Sequence, residues 1–220
     1  MPSTDDLEYI TEESASTYWK LAEAYGHQFY KRVAAMVTTD TDPNRVLDVG
    51  TGPGILPRYL SEHVDAEIDA FDRTRPLVAY GAQRHDATNF IVADVYHIPV
   101  QDTVYDLVTC TGVFHALDNP VDMLNEVYRV LTPNGEAWLF DPTDLVYDDA
   151  VDDLLTDEEF EIWEQHREET NEGTPETYTK AEAERLLTAS RFSASSIWTE
   201  EDDSIRIRLV KNNDSIHRPP

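Results

Sequence analysis

Five short apolar runs, most of them separated by helix-length stretches, constrain this chain more than any other feature. They occupy residues 45–49, 67–71, 89–93, 105–110 and 136–140. Helical patterns fall at 54–63, 75–85 and 120–131, and a loop containing Pro99 precedes the fourth run. The runs are apolar almost throughout, as strands covered on both faces must be. Strand and helix in alternation predict a doubly wound α/β domain with a mostly parallel sheet.

The flanks read differently. Residues 8–37 are helical by pattern and carry Tyr18, Trp19, Tyr25, Phe29 and Tyr30. Residues 141–176 are very acidic. Within them Thr156 and Glu159 have capping-box spacing, which predicts a helix over 157–169. Thr179 and Glu182 repeat that signature ahead of another helix. Two β-rich segments follow, 193–199 and 204–210; the second, SIRIRLV, alternates strictly and suits an antiparallel strand with one wetter face. The expected division is a helical N-terminal lid (1–37), a ligand-binding core (38–142), an acidic helical insertion (143–176), the closing helix and strands (177–211) and a tail (212–220).

The formal charge is −27, from 44 acidic and 17 basic residues. Such a surface repels nucleic-acid phosphates at ordinary ionic strength. It suits a saline cytoplasm, where repulsion is screened within a few Å, or else a dedicated cationic partner. No apolar run approaches the ~20 residues of a membrane span, and the first 30 residues have no secretory pattern. Cys110 is the only cysteine, which fits a reducing, cytoplasmic setting.

The first strand runs into VLDVGTGPG, with Gly50, Gly52 and Gly54 spaced two apart. Glycines there permit positive φ and let a ligand come close to the backbone. The dinucleotide pattern G-x-G-x-x-G is absent, and so is a phosphate-binding Gly-Lys-Ser/Thr ending. What remains is Asp48 two residues ahead of a G-x-G-x-G run. Asp72 ends the second strand, where a carboxylate can accept from a ribose diol. Asp94 ends the third; it can accept from the amine of adenine while the Val95 N–H donates to the ring. The pattern describes a site for an adenosine with no required phosphate clamp.

VLDVGTGPG, DAFDRT, FIVADVYHIPV, YDLVTCTGVFHAL and EVYRVLTPNGEAWLFDP resemble, in order and spacing, the blocks of class I S-adenosylmethionine-dependent methyltransferases. The likeness is greatest to the broad group that includes the quinone-biosynthesis methyltransferases. It implies a Rossmann-like sheet of seven strands with the last antiparallel, S-adenosylmethionine as cofactor, and methyl transfer. By resemblance, Asp48, Gly50, Gly52 and Gly54 form the loop under the methionine part of the cofactor, with Thr51 and Pro53 in its variable places. Asp72 takes the ribose, Asp94 and Val95 the adenine, and the strand end at Cys110 and Thr111 faces the methionine amine. Arg73 stands where the family has an apolar residue against adenine, so a guanidinium would stack there. Trp19 and Tyr25 resemble an aromatic signature of a lid helix, although Gly26 replaces the family's usual Asp.

Methyl transfer is an in-line displacement, so alignment and desolvation supply most of the rate. An oxygen or carbon acceptor can also need a base. His115, just past the fourth strand, is the catalytic candidate; His97 and Asp141 are weaker ones. No cluster has metal-ligand spacing. The leading expectation is a small-molecule acceptor. The alternatives are an RNA methyltransferase, for which no basic patch is visible, and a catalytically silent S-adenosylmethionine-binding protein.

Overall fold

A computed structural model describes residues 12–39, 41–141, 155–161, 178–199 and 204–212. In chain order the elements are α1 (Glu12–Thr38), β1 (Arg45–Val49), α2 (Ile55–Ser61), β2 (Glu67–Asp72), α3 (Arg75–Ala82), β3 (Thr88–Val92), β4 (Tyr105–Thr111), α4 (Pro120–Val130), β5 (Leu131–Asp141), α5 (Lys180–Ala189), β6 (Ala194–Thr199) and β7 (Ile205–Val210). The seven strands form one sheet in the order β3-β2-β1-β4-β5-β7-β6. β7 runs antiparallel to both of its neighbours, and the other pairings are parallel. Strand order reverses between β1 and β4, which opens a crevice at their carboxyl ends.

Each face has its own core. On one, Met123, Leu124 and Val127 of α4 and Ala183 and Leu187 of α5 pack on Val108, Leu139 and Ile207. On the other, Val33, Ala34 and Val37 of α1 join Leu56 and Leu60 of α2 over Val46, Ile68 and Phe140. The second half of α1 is thus a packed layer of the domain. β7 follows its alternation: Ile205, Ile207 and Leu209 are buried, and Arg206 and Arg208 face the other way.

Several element ends depart from the sequence reading; α2 and α3, for instance, stop at Ser61 and Ala82, short of the expected 63 and 85. α2 begins at Ile55, because Gly54 caps it in the left-handed region (φ 86°). β5 begins at Leu131, directly from α4; Leu131 pairs with Tyr105, and regular pairing resumes at Glu136 after Asn134 turns through positive φ. A short 3-10 turn, Phe114–Ala116, follows β4. Helix is described at 157–161, behind the capping bonds between Thr156 and Glu159; the rest of the expected insertion helix, Trp163 included, lies outside the described residues. Among the described residues no helix is long and apolar enough to cross a membrane.

The second capping box is complete: Thr179 Oγ1 accepts the Glu182 N–H and Glu182 accepts the Thr179 N–H. A Thr179→Ala variant is therefore expected to lose about 0.5–2 kcal/mol of stability. Urea denaturation reads this directly, and an unchanged midpoint would show that packing alone fixes α5.

Candidate active site at the switch point

The loop after β1 is built for close approach. Gly50, Gly52 and Gly54 all have positive φ. A Cβ on Gly50 would lie 2.2 Å from Cγ2 of Val113, in the segment after β4, so the two loops are in contact at the crevice. The loop's amides are largely spent inside the protein. Thr51 donates to the Phe71 carbonyl (3.0 Å), Gly52 to Asp72 Oδ2 (2.9 Å) and Gly54 to the Thr51 carbonyl (3.0 Å). A cavity beside the loop is lined by Tyr18, Tyr30, Asp48, Gly50, Gly52 and Thr111, among others.

Asp48 lies under this loop, 2% exposed, and accepts a 2.6 Å bond from Thr109 Oγ1 on the neighbouring strand. Burial raises its pKa to about 7; the Thr109 bond opposes the rise and the Asp72 charge adds to it. Thr51 Oγ1 is close enough to ease Asp48 ionisation but makes no bond of good geometry. Asp72 accepts from Gly52 through Oδ2 and from Thr74 (2.8 Å) through Oδ1. Each of its oxygens keeps a second lone pair for a diol. The Ala93 N–H donates to the Asp72 carbonyl (3.0 Å), which brings the ends of β2 and β3 side by side. Asp94 is exposed, accepts the Tyr96 N–H through Oδ1 (2.9 Å) and is followed by half-buried Val95. Arg73 is exposed. The side chain of Tyr25 lies outside the described residues.

The ends of β4 and β5 carry the second group. Cys110 is buried, and burial pushes its thiol pKa well up, with the Asp141 and Asp48 charges adding to the effect. The thiol is neutral packing. Thr111 borders the cavity, and its Oγ1 is buried without a partner. His115, in the 3-10 turn, bonds through Nδ1 to Asp141 Oδ1 at 2.7 Å. Asp141 is 1% exposed, and its Oδ2 is buried without a partner. With the carboxylate accepting, Nδ1 carries the proton and Nε2 is the basic nitrogen of the neutral ring. The Gly112 N–H donates to the Phe140 carbonyl (2.8 Å) and fixes the two strand ends together. Tyr178 packs on Phe114, ring centroids 5.0 Å apart; burial raises its hydroxyl pKa, with nearby Asp141 adding.

Three residues of this site escaped sequence reasoning as site residues: Tyr18, Tyr30 and Tyr178. The first two read only as part of an aromatic helix. His97 lies away from the His115–Asp141 pair, in the turn that follows Asp94 and near Glu126. Among the described residues no group of three or more His, Cys, Asp or Glu could hold a metal.

Residues 47–139 match the methyltransferase domain family. Over those residues the chain is similar to methyltransferase domains. It is 33% identical over 91 residues to the malonyl-(acyl-carrier protein) O-methyltransferase of Enterobacter lignolyticus, which is 41% of this chain and 36% of that protein. It is 32% identical over 111 residues to the demethylmenaquinone methyltransferase of Thermus thermophilus, 48% and 50% of the two chains. The matched region thus spans half or less of these curated relatives. The fold is shared with a Methanococcus maripaludis protein assigned as an S-adenosyl-L-methionine-dependent methyltransferase. The TM-score is 0.72 at 18% identity, covering 94% of this chain and 95% of the other.

The residues present fit S-adenosylmethionine, the cofactor named for the methyltransferases that share this fold. Unpartnered Thr51 and Thr111 hydroxyls border the cavity, and Asp72 and Asp94 stand on adjacent strand ends with acceptor capacity to spare. An Asp72→Ala variant is expected to lose roughly 1.5–3 kcal/mol of affinity for S-adenosylhomocysteine, because bonds to a charged acceptor are the stronger kind. Calorimetry in high salt measures it. A folded variant with wild-type affinity would remove Asp72 from the cofactor site.

Proposed function

We propose that this chain transfers a methyl group from S-adenosylmethionine to a small-molecule acceptor, with His115 taking the acceptor's proton. One observation carries the reading: the glycine loop and its strand-end acids meet the His115–Asp141 pair across the β1/β4 crevice. In this reading Asp72 holds the ribose, Asp94 and Val95 the adenine, and the Gly50–Gly54 loop with Asp48, Cys110 and Thr111 the methionine end.

When bound, the cofactor supplies an activated methyl group on a cationic sulfur. The chain's own residues do the rest. The loop and acids fix the cofactor's orientation, and Phe114, in the same turn as His115, is buried against Tyr178. Asp141 holds the His115 ring with Nε2 as the base and stabilises the imidazolium that forms when a proton arrives. The curated relatives are named for acceptors that are small molecules or carrier-linked acyl groups, and neither name involves a nucleic acid. At ordinary ionic strength the charge of −27 also opposes an RNA substrate, while in molar salt it argues only weakly against one. We read the same charge as an adaptation to a saline cytoplasm.

The acidic insertion serves as a lid in this proposal. Glu159 pairs with Lys20 of α1, one turn of helix from Thr17 and close in sequence to cavity-lining Tyr18, and that bond lowers its carboxyl pKa. Deleting 143–176 should spare S-adenosylhomocysteine binding and abolish transfer; a folded deletion that no longer binds it would refute the lid.

Incubation with labelled S-adenosylmethionine and an extract split into metabolite and RNA fractions tests the activity. Label is expected in the metabolite fraction, and label in RNA alone would overturn the reading. With the acceptor in hand, His115→Ala should fold, bind cofactor normally and lose roughly 10²–10⁴-fold in turnover. Asn at 115 can hydrogen-bond but cannot take a proton to become a cation. Near-full turnover of His115→Asn across pH 6–9 would exclude His115 as the base.

A further inference from the structure

The loop that carries Asp94 and Val95 has no regular structure between β3 and β4, yet it is fixed from behind by one side chain. Arg129, on the last turn of α4, spends its guanidinium on it and on a bracing acid. Nη2 donates to the Ile98 carbonyl (2.9 Å) and Nη1 to the Val100 carbonyl (2.8 Å) and to Asp102 Oδ1 (3.0 Å). Nε and Nη2 donate to the two oxygens of Glu126, at 2.9 and 2.8 Å. Glu126 Oε2 also accepts the Ile98 N–H (3.1 Å), so Ile98 is held at both its backbone groups. The backbone of the same helix end continues the seam, with Thr103 and Val104 donating to the carbonyls of Arg129 and Val130.

Arg129 and Glu126 are largely withdrawn from water, each side chain 22% exposed. The Glu126 bond and the Asp102 bond raise the Arg129 pKa, and the Arg129 bond lowers that of Glu126. From Ile98 the constraint passes to the acid through a tight turn. The His97 N–H donates to the Asp94 carbonyl (3.0 Å) and the Tyr96 N–H to Asp94 Oδ1 (2.9 Å). Ile98 itself is anchored in the core, 3% exposed. Nothing in this set touches the cavity beside the glycine loop.

We infer that Arg129, braced by Glu126, is a positioning residue for adenine recognition: it holds the 94–102 loop so that Asp94 and the Val95 N–H present a fixed acceptor–donor edge. This rests on the assignment of Asp94 and Val95 to the adenine. A planar fork is needed because three loop acceptors and one carboxylate must be met at once, and a lysine ammonium, a point charge on a flexible stem, cannot span them. With the fork gone, the loop keeps its fold but its edge is free to move, and a base-edge preference depends on fixed geometry.

The test is a preference ratio, which a merely structural role leaves unchanged. S-adenosylhomocysteine and S-inosylhomocysteine differ only at the base edge, where an amine and a bare ring nitrogen become a carbonyl and an N–H. Calorimetry on the full chain in high salt should give the wild type at least about a tenfold preference for the adenosyl form. Arg129→Lys should weaken adenosyl binding and cut the preference to about threefold or less, whereas Arg208→Lys, at the distant β5–β7 pairing, should lower stability and leave the ratio intact. If Arg129→Lys does not fold, Glu126→Gln puts the same question with a smaller perturbation. A preserved tenfold ratio in whichever variant folds would overturn the positioning role and leave Arg129 as a structural clamp. Equal binding of the two probes by the wild type would overturn the Asp94 assignment itself, and the inference with it.

Discussion

The pairing of β1 with β4 is the contact on which the rest of the molecule depends. The register sets Asp48 opposite Thr109, and their side chains make a 2.6 Å bond in the dry centre of the sheet. A carboxyl in that position is expensive to bury, and the Thr109 bond offsets only part of the cost. It also fixes where both strands end, so the glycine loop and the turn bearing His115 leave the sheet at the same level. Gly50 then packs against Val113 so closely that a single methyl group would not fit. The crevice is a by-product of two strands stopping together where the chain changes direction.

The strand ends share a sign of charge. Asp72 and Asp141 close β2 and β5, Asp48 is the penultimate residue of β1 and Asp94 lies two residues past β3; burial and the Asp72 charge, against the Thr109 bond, raise the Asp48 pKa to about 7. Its folded pKa lies above the ordinary carboxylate value. The fold is therefore favoured by Asp48 at acid pH and loses that contribution as pH rises through about 7. A positive charge in the cavity beside Asp48 acts in the opposite direction, stabilising the carboxylate. Ligand charge and proton occupancy at the centre of the sheet are thereby linked, and the linkage favours a cationic occupant at and above neutral pH.

Much of this was legible in the sequence because it is local. A strand's apolar run, a capping box three residues long and a glycine-rich turn are each written in a few consecutive letters, and the alternation of SIRIRLV shows directly in the burial of Ile205, Ile207 and Leu209. What escaped was long-range. His115 and Asp141 were each visible as candidates, but their partnership spans 26 residues and exists only because Gly112 is tied to Phe140 across β4 and β5. Tyr18 and Tyr30 looked like any aromatics of an amphipathic helix until α1 was laid against the end of β1. Tyr178 precedes a helix cap and gave no sign that it packs on Phe114. The early start of β5 was hidden by a turn sequence, Thr132–Gly135, that interrupts a strand already begun.

The state of the loop's amides decides what kind of nucleotide this architecture suits. A parallel sheet with glycines after its first strand also serves dinucleotide folds, where backbone N–H groups and a helix N-terminus meet a pyrophosphate. Here Thr51, Gly52 and Gly54 have turned those donors inward, onto Phe71, Asp72 and Thr51 itself. The acid that would hold a ribose is the same acid that consumes the Gly52 amide, so the loop cannot offer that donor to an anion without giving up the shape that places Asp72. In the proposed reading, positive φ at the three glycines serves close approach, and recognition falls to carboxylates that accept rather than amides that donate. A ligand rich in donors and poor in negative charge is what such an edge can hold.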